Sequence, residues 1–195
     1  DEITDGIRNT AVGSGAMSAT TTGVNYNNAF GYQALLTTTG SKNCAFGYQA
    51  LTGTAGNFNS AFGHEAGEAV TTGEYNVFMG MEAGKATTTG GYNVALGYGT
   101  LYQNTTGIRN IAIGDRSGYA ITTGDYNIAI GYASLFKITD GSNNVAVGSD
   151  SLHNATTASQ NTAFGQSALL GVTTGGYNVA VGFEAGYTAS NASQN

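Results

Sequence analysis

Along the whole chain, bursts in which large and small apolar residues alternate are separated by polar, glycine-rich stretches. Asn93-Val94-Ala95-Leu96-Gly97 is one such burst. The same Asn-x-Ala-apolar-Gly core, with Phe78 once in place of Ala, closes at Gly13, Gly31, Gly47, Gly63, Gly80, Gly97, Gly114, Gly131, Gly148, Gly165 and Gly182. Spacings run from 16 to 18 residues, and the last seven are all 17. A fixed period of this length is the mark of a repeat architecture.

Each core is followed by a looser segment, such as Tyr32-Gln33-Ala34-Leu35 or Phe183-Glu184-Ala185-Gly186, and then by a Thr-Thr-Gly turn, such as Thr71-Thr72-Gly73. One copy therefore reads as strand, turn, strand, turn. Such a copy is too short for two packed helices and suits one coil of a solenoid. The expected fold is all-β: a single-chain parallel β-solenoid (β-roll) of about eleven coils of ~17 residues, with two short strands per coil. At about 4.8 Å per strand this is a rod roughly 50 Å long.

Neighbours on a strand face opposite sides. One set comprises Val77, Val94, Ile111, Ile128, Val145 and Val179 with Phe30, Phe46, Phe62, Met79, Leu96, Ile113, Ile130, Val147, Phe164 and Val181. Its bulk makes it the expected interior, with Cys44 as a small core residue in its first column. The opposite set is then the outer face: Ala11, Ala29, Ala45, Ala61, Ala95, Ala112, Ala129, Ala146, Ala163 and Ala180. A nearly uniform Ala column on an outer face implies a closely packed neighbour, so these ten residues are the candidate subunit interface. Asn and Gly recur for structural reasons: stacked Asn side chains can bond from coil to coil, and Gly supplies positive φ at a corner.

The array runs as one continuous unit over residues 1–195 and is expected to be uncapped at both ends. Ile3-Thr4-Asp5-Gly6 repeats as Ile138-Thr139-Asp140-Gly141, and Asn195 opens a further copy. Open strand edges invite pairing, so stacking end to end into a filament is an expectation alongside lateral assembly.

Composition agrees with turns and short strands. The chain has 31 Gly, no Pro and no Trp, and only 9% charged residues. A net charge of -6 with six scattered basic residues argues against nucleic acid or an anionic membrane surface as partner. No apolar run of about 18 residues suggests membrane insertion.

The residues that could carry chemistry are dispersed. His64 and His153 lie in different columns, and Glu65, Glu82 and Glu184 fall in non-adjacent coils, so neither a metal site, a cofactor nor an active site is expected. A glycan-processing spike would need paired carboxylates in one groove. Tyr26, Tyr75, Tyr92, Tyr126 and Tyr177, and on the other flank Tyr32, Tyr48, Tyr98 and Tyr132, form two aromatic ladders that can pack on one another or on sugars. The sequons at Asn104, Asn154 and Asn191 are candidate glycosylation sites on the loop side.

The cores Asn110-Ile111-Ala112-Ile113-Gly114 and Asn144-Val145-Ala146-Val147-Gly148 resemble the head repeat of trimeric autotransporter adhesins, where Asn-Ser-Val-Ala-Ile-Gly recurs. Similar repeats occur in phage tail-fibre proteins. The resemblance extends from Asn9 to Gly182. The copies here are longer than the family's usual one, the extra residues falling in the Thr-Thr-Gly turn. The resemblance implies a left-handed parallel β-roll, three chains side by side, and attachment at a cell or virion surface.

The expected function is therefore a non-enzymatic structural or adhesive segment of an extracellular fibre. Its partners are copies of itself, as a trimer or filament, and a cell-surface glycan or protein receptor. The alternatives are a phage tail-fibre receptor-binding segment and an ice-binding β-solenoid, the latter requiring two outward Thr columns on one flat face, as at Thr37 to Thr39 and Thr87 to Thr89.

Overall fold

A computed structural model of the chain describes residues 6–20, 23–188 and Ser193. It is an all-β solenoid whose eleven strands form one parallel sheet in sequence order. The strands are β1 (Thr10–Val12), β2 (Asn28–Phe30), β3 (Cys44–Phe46), β4 (Ser60–Phe62), β5 (Val77–Met79), β6 (Val94–Leu96), β7 (Ile111–Ile113), β8 (Ile128–Ile130), β9 (Val145–Val147), β10 (Thr162–Phe164) and β11 (Val179–Val181). Pairing is in strict register, so Ala95 lies opposite Ala112 and Leu96 opposite Ile113.

There is one strand per described coil rather than two. The second segment, expected as a strand, is a run of turns in which residues such as Leu101 (φ 49°) and Arg116 (φ 52°) adopt left-handed backbone. That conformation costs an ordinary residue about 1–2 kcal/mol. Hydrogen bonds to both neighbouring coils offset it: Leu101 N–H donates forward to the Ser117 carbonyl at 3.2 Å, and Arg116 N–H donates back to Tyr98 at 2.8 Å. Sequence periodicity reports which side chains point inward and is blind to the sign of φ, so this turn has the pattern of a strand.

Sidedness is the reverse of the sequence expectation. Ala29, Ala45, Ala61, Ala95, Ala112, Ala129, Ala146 and Ala163 have no solvent exposure, Ala180 is buried and Ala11 is partly so. The large residues flank them on the outside, with Val12 at 54%, Phe164 at 55% and Val181 at 69% exposure. The coil is thin. Its turn segment folds back close to the sheet, and Leu35, Leu51, Leu101, Leu135 and Leu152 from that wall fill the interior completely. Only a methyl group fits on the facing strand, so the bulkier column must point out.

The asparagines are the inner hinge of each coil. Asn110 Nδ2 donates to the Gly124 carbonyl at 2.7 Å, closing its own coil, while its Oδ1 accepts from Asn127 N–H at 2.9 Å, joining the next coil. This pattern repeats from Asn27 to Asn161, where the amides are fully buried and both ends of the group are satisfied. The glycine closing each core is required by close approach as well as by φ. At Gly97 (φ +133°) a Cβ would sit 2.8 Å from the Gly114 carbonyl oxygen of the next coil.

Candidate functional site: the outward sheet face and its flanks

With the Ala column inside, no part of it is available to another chain. The surface the sheet offers instead is made of the two outward columns. Phe30, Phe46 and Phe62 stack with ring centroids 4.4 and 5.0 Å apart, and Met79, Leu96, Ile113, Ile130 and Val147 continue the line. Beside it run Cys44, Val77, Val94, Ile111, Ile128 and Val145, with polar Thr10, Asn28, Ser60 and Thr162 in the same column. Cys44 therefore lies on this outward face, half-buried by its neighbours, rather than in the core, and that partial burial pushes its thiol pKa up.

Ten strand spacings of about 4.8 Å make the strip about 48 Å long. Two columns each about 6.7 Å wide give about 600 Å² of mostly apolar face, and the mixed column beyond the glycines, in which Tyr32, Tyr48, Tyr98 and Tyr132 alternate with polar residues such as His64 and Asp115, widens it to roughly 1,000 Å². The largest apolar patch on an ordinary monomer is about 300–600 Å².

Aromatic ladders line both margins. Tyr32, Tyr48 and His64 stack at 5.2 and 4.8 Å on one side. On the other, Phe58, Tyr75 and Tyr92 stack at 4.7 and 4.8 Å, and the Arg109 guanidinium lies between the rings of Tyr92 and Tyr126. A third ladder, Tyr102, Tyr119, Phe136 and His153, escaped the sequence reading because its column varies in type from coil to coil. Both histidines thus stack at an end of an aromatic ladder.

Glu65 and Glu82, expected in non-adjacent coils, lie instead in adjacent ones, after Gly63 and Gly80, and converge with Glu68 on a lysine. Lys85 Nζ lies 2.5 Å from Glu65, 3.2 Å from Glu82 and 3.8 Å from Glu68. The hydrogen bond that Lys85 donates to Glu65, joined by the one it donates to Glu82, drives the Lys85 pKa well above its ordinary value. Glu184 stands apart from this group, exposed near the far end. Among the described residues, no three His, Cys, Asp or Glu side chains come together to hold a metal ion, and no helix is long and apolar enough to cross a membrane.

The sequons divide. Asn104 is fully buried and its Nδ2 donates to the Gly107 carbonyl at 3.2 Å, so it cannot carry a glycan in the folded chain. It occupies an inward column held elsewhere by Ile121, Ile138 and Val172. Asn154 is half-buried and its Oδ1 accepts from Lys137 Nζ, and Asn191 lies outside the described residues.

The threonine turns also split into two roles. The first Thr of each turn donates its hydroxyl to the backbone of the next coil, Thr71 to Thr88, Thr88 to Thr105 and Thr105 to Thr122, each at 3.1 Å. The second, such as Thr72, Thr89, Thr106 and Thr123, is exposed. No family model, curated protein or solved structure matches the chain.

Proposed function

We propose that the chain is a structural segment of an extracellular fibre, non-enzymatic, which packs side by side with copies of itself through the outward Val/Ile and Phe/Ile/Val columns. The observation that carries this reading is the apolar strip itself: a regular row of Ile, Val, Phe and Met side chains left open to water on a folded rod. A stable interface uses about 800 Å² per partner, and the strip supplies that area. The same face serves a cell-surface adhesin or a phage tail fibre equally well, since both readings need the same lateral packing.

Ice binding fits less well. It calls for two free Thr columns on one flat face, whereas one column here has its hydroxyls committed to neighbouring carbonyls.

The test is the mass of the native particle in solution, measured by light scattering, for the natural chain and for Ile128→Lys combined with Ile130→Glu. Both substituted side chains point outward from β8, so the coil keeps its interior. The natural chain is expected as an oligomer and the double variant as a folded monomer. A monomeric natural chain with unchanged β-sheet content would overturn the proposal.

A further inference from the structure

The column two residues before each inner Asn carries a second hydrogen-bond ladder, which breaks between Asn57 and Ile108 and again where Ser159 faces Gly176. In seven coils the backbone N–H of this column donates to a side-chain oxygen of the same column one coil further on. The donors are Ile7 to Asn25, Asn25 to Ser41, Ser41 to Asn57, Ile108 to Asp125, Asp125 to Ser142, Ser142 to Ser159 and Gly176 to Ser193. Glu74 faces Gly91, and Gly91 faces Ile108. Neither of these facing residues has a side-chain oxygen, and neither Glu74 N–H nor Gly91 N–H finds an acceptor among the described residues.

The missing side chain leaves a cavity of about 250 Å³, lined by Thr72, Glu74, Thr89, Tyr92, Ile108 and Arg109 around Gly91. A Cβ at Gly91 would lie 3.5 Å from Glu74 N and 2.9 Å from the Glu74 carbonyl oxygen, so a side chain there is accommodated only with a small backbone shift. The residues that line this space carry donors: the two unpaired N–H groups, the hydroxyls of Thr72 and Thr89, and the Arg109 guanidinium, of which Nη1 donates to Tyr126. An acceptor is present as well, because Glu74 Oε1 takes a bond from Asn57 Nδ2 and leaves Oε2 open. Ile108 and the edge of Tyr92, whose faces are covered by Tyr75 and Arg109, form the apolar wall.

We propose that this cavity is a binding site for one neutral sugar ring of a glycan. Vicinal hydroxyls accept from N–H and guanidinium donors while donating to a carboxylate, which is the mixture offered here. A carboxylate or sulfate would accept equally well but would face Glu74. The site lies on the threonine side of the tyrosine column, beside the apolar strip rather than on it, and does not depend on lateral assembly.

Saturation-transfer NMR on the intact chain, with methyl α-mannopyranoside, methyl α-glucopyranoside, methyl β-galactopyranoside and glucuronate as probes, tests this. At least one neutral glycoside is expected to receive saturation on its ring protons, more strongly than glucuronate. Gly91→Ser, which supplies the missing oxygen, and Glu74→Gln, which leaves the backbone ladder untouched, should each weaken binding at least tenfold. Overturning results are no transfer to any neutral glycoside, stronger transfer to glucuronate, or transfer that survives both substitutions. Because particle mass is read separately, failure here leaves the fibre reading standing, and a monomer that binds sugar leaves this one standing.

Discussion

The ring of Phe78 occupies the space that a side chain at Gly84 would fill: a Cβ built on Gly84 would overlap the ring, and one on Gly67 would come within 2.7 Å of it. Every other coil pairs a small Ala on the strand with Leu, Met or Gly on the turn wall, and this coil exchanges the large partner across the interior. Phe78→Ala is therefore expected to leave a cavity and cost about 3–5 kcal/mol. Adding Gly67→Leu and Gly84→Leu should recover most of it, since Leu35 and Leu51 already adopt the same left-handed backbone at φ 50° and 48°. Urea unfolding of the single and triple variants measures the coupling, and additive effects would refute it.

Two buried asparagines should respond in opposite ways. Asn110→Ala orphans the Asn127 N–H and the Gly124 carbonyl, at about 1–3 kcal/mol for each group. Asn104 has a buried Oδ1 with no partner, and the Gly107 carbonyl it donates to also accepts from Asn93 Nδ2 at 2.9 Å. Asn104→Val, matching Val172 in the same column, should thus be neutral or stabilising. Thermal midpoints of the two variants decide the matter.

The repeat, its period, the strand registers and the Asn ladder were legible in the sequence because each is carried by an invariant residue type. Sidedness was not. Bulk ordinarily implies burial, but a thin coil buries Ala95 and Ala112 and turns Val94 and Ile113 outward, and nothing in one strand's alternation states how near the opposite wall comes. The polar face of the alternation held the clue: Asn93 shares its side with Ala95, and an Asn that closes a coil from within must be inside. The interrupted ladder at Gly91 was hidden for a different reason, since its donors are backbone N–H groups whose partners lie 16 to 18 residues away.

Lys85 ties two neighbouring coils together, and its contribution has a definite pH dependence. Because the hydrogen bond it donates to Glu65 raises its folded-state pKa, the stabilisation is complete below the unfolded value of about 10.4 and is lost as pH climbs through the higher folded value. The stability difference between the natural chain and Lys85→Met should be constant from neutral pH to about 10 and shrink above it. A difference that instead grows in alkali would contradict the ion-pair geometry.

If the rods pack side by side, their relative direction follows from their margins. One flank of the strip carries Arg8, Lys42 and Arg109 among its aromatic residues, and the other carries Glu65, Glu82, Asp115 and Asp150, which Lys85 and Arg116 offset in part and leave net acidic. Face-to-face rods pointing the same way set unlike flanks together, whereas opposed rods set cations against cations, so the parallel arrangement is expected. Cys44 on β3 reports which occurs. In parallel, aligned rods the Cys44 residues meet at one level; in opposed rods they stand six strand spacings apart, about 29 Å. A short bifunctional maleimide should link chains of the oligomer in the first case and not in the second. Burial holds the thiol pKa up, so labelling should quicken as pH rises towards alkaline values and more thiolate forms. An oligomer that stays unlinked under those conditions, with each Cys44 modified singly, would establish the opposed arrangement instead.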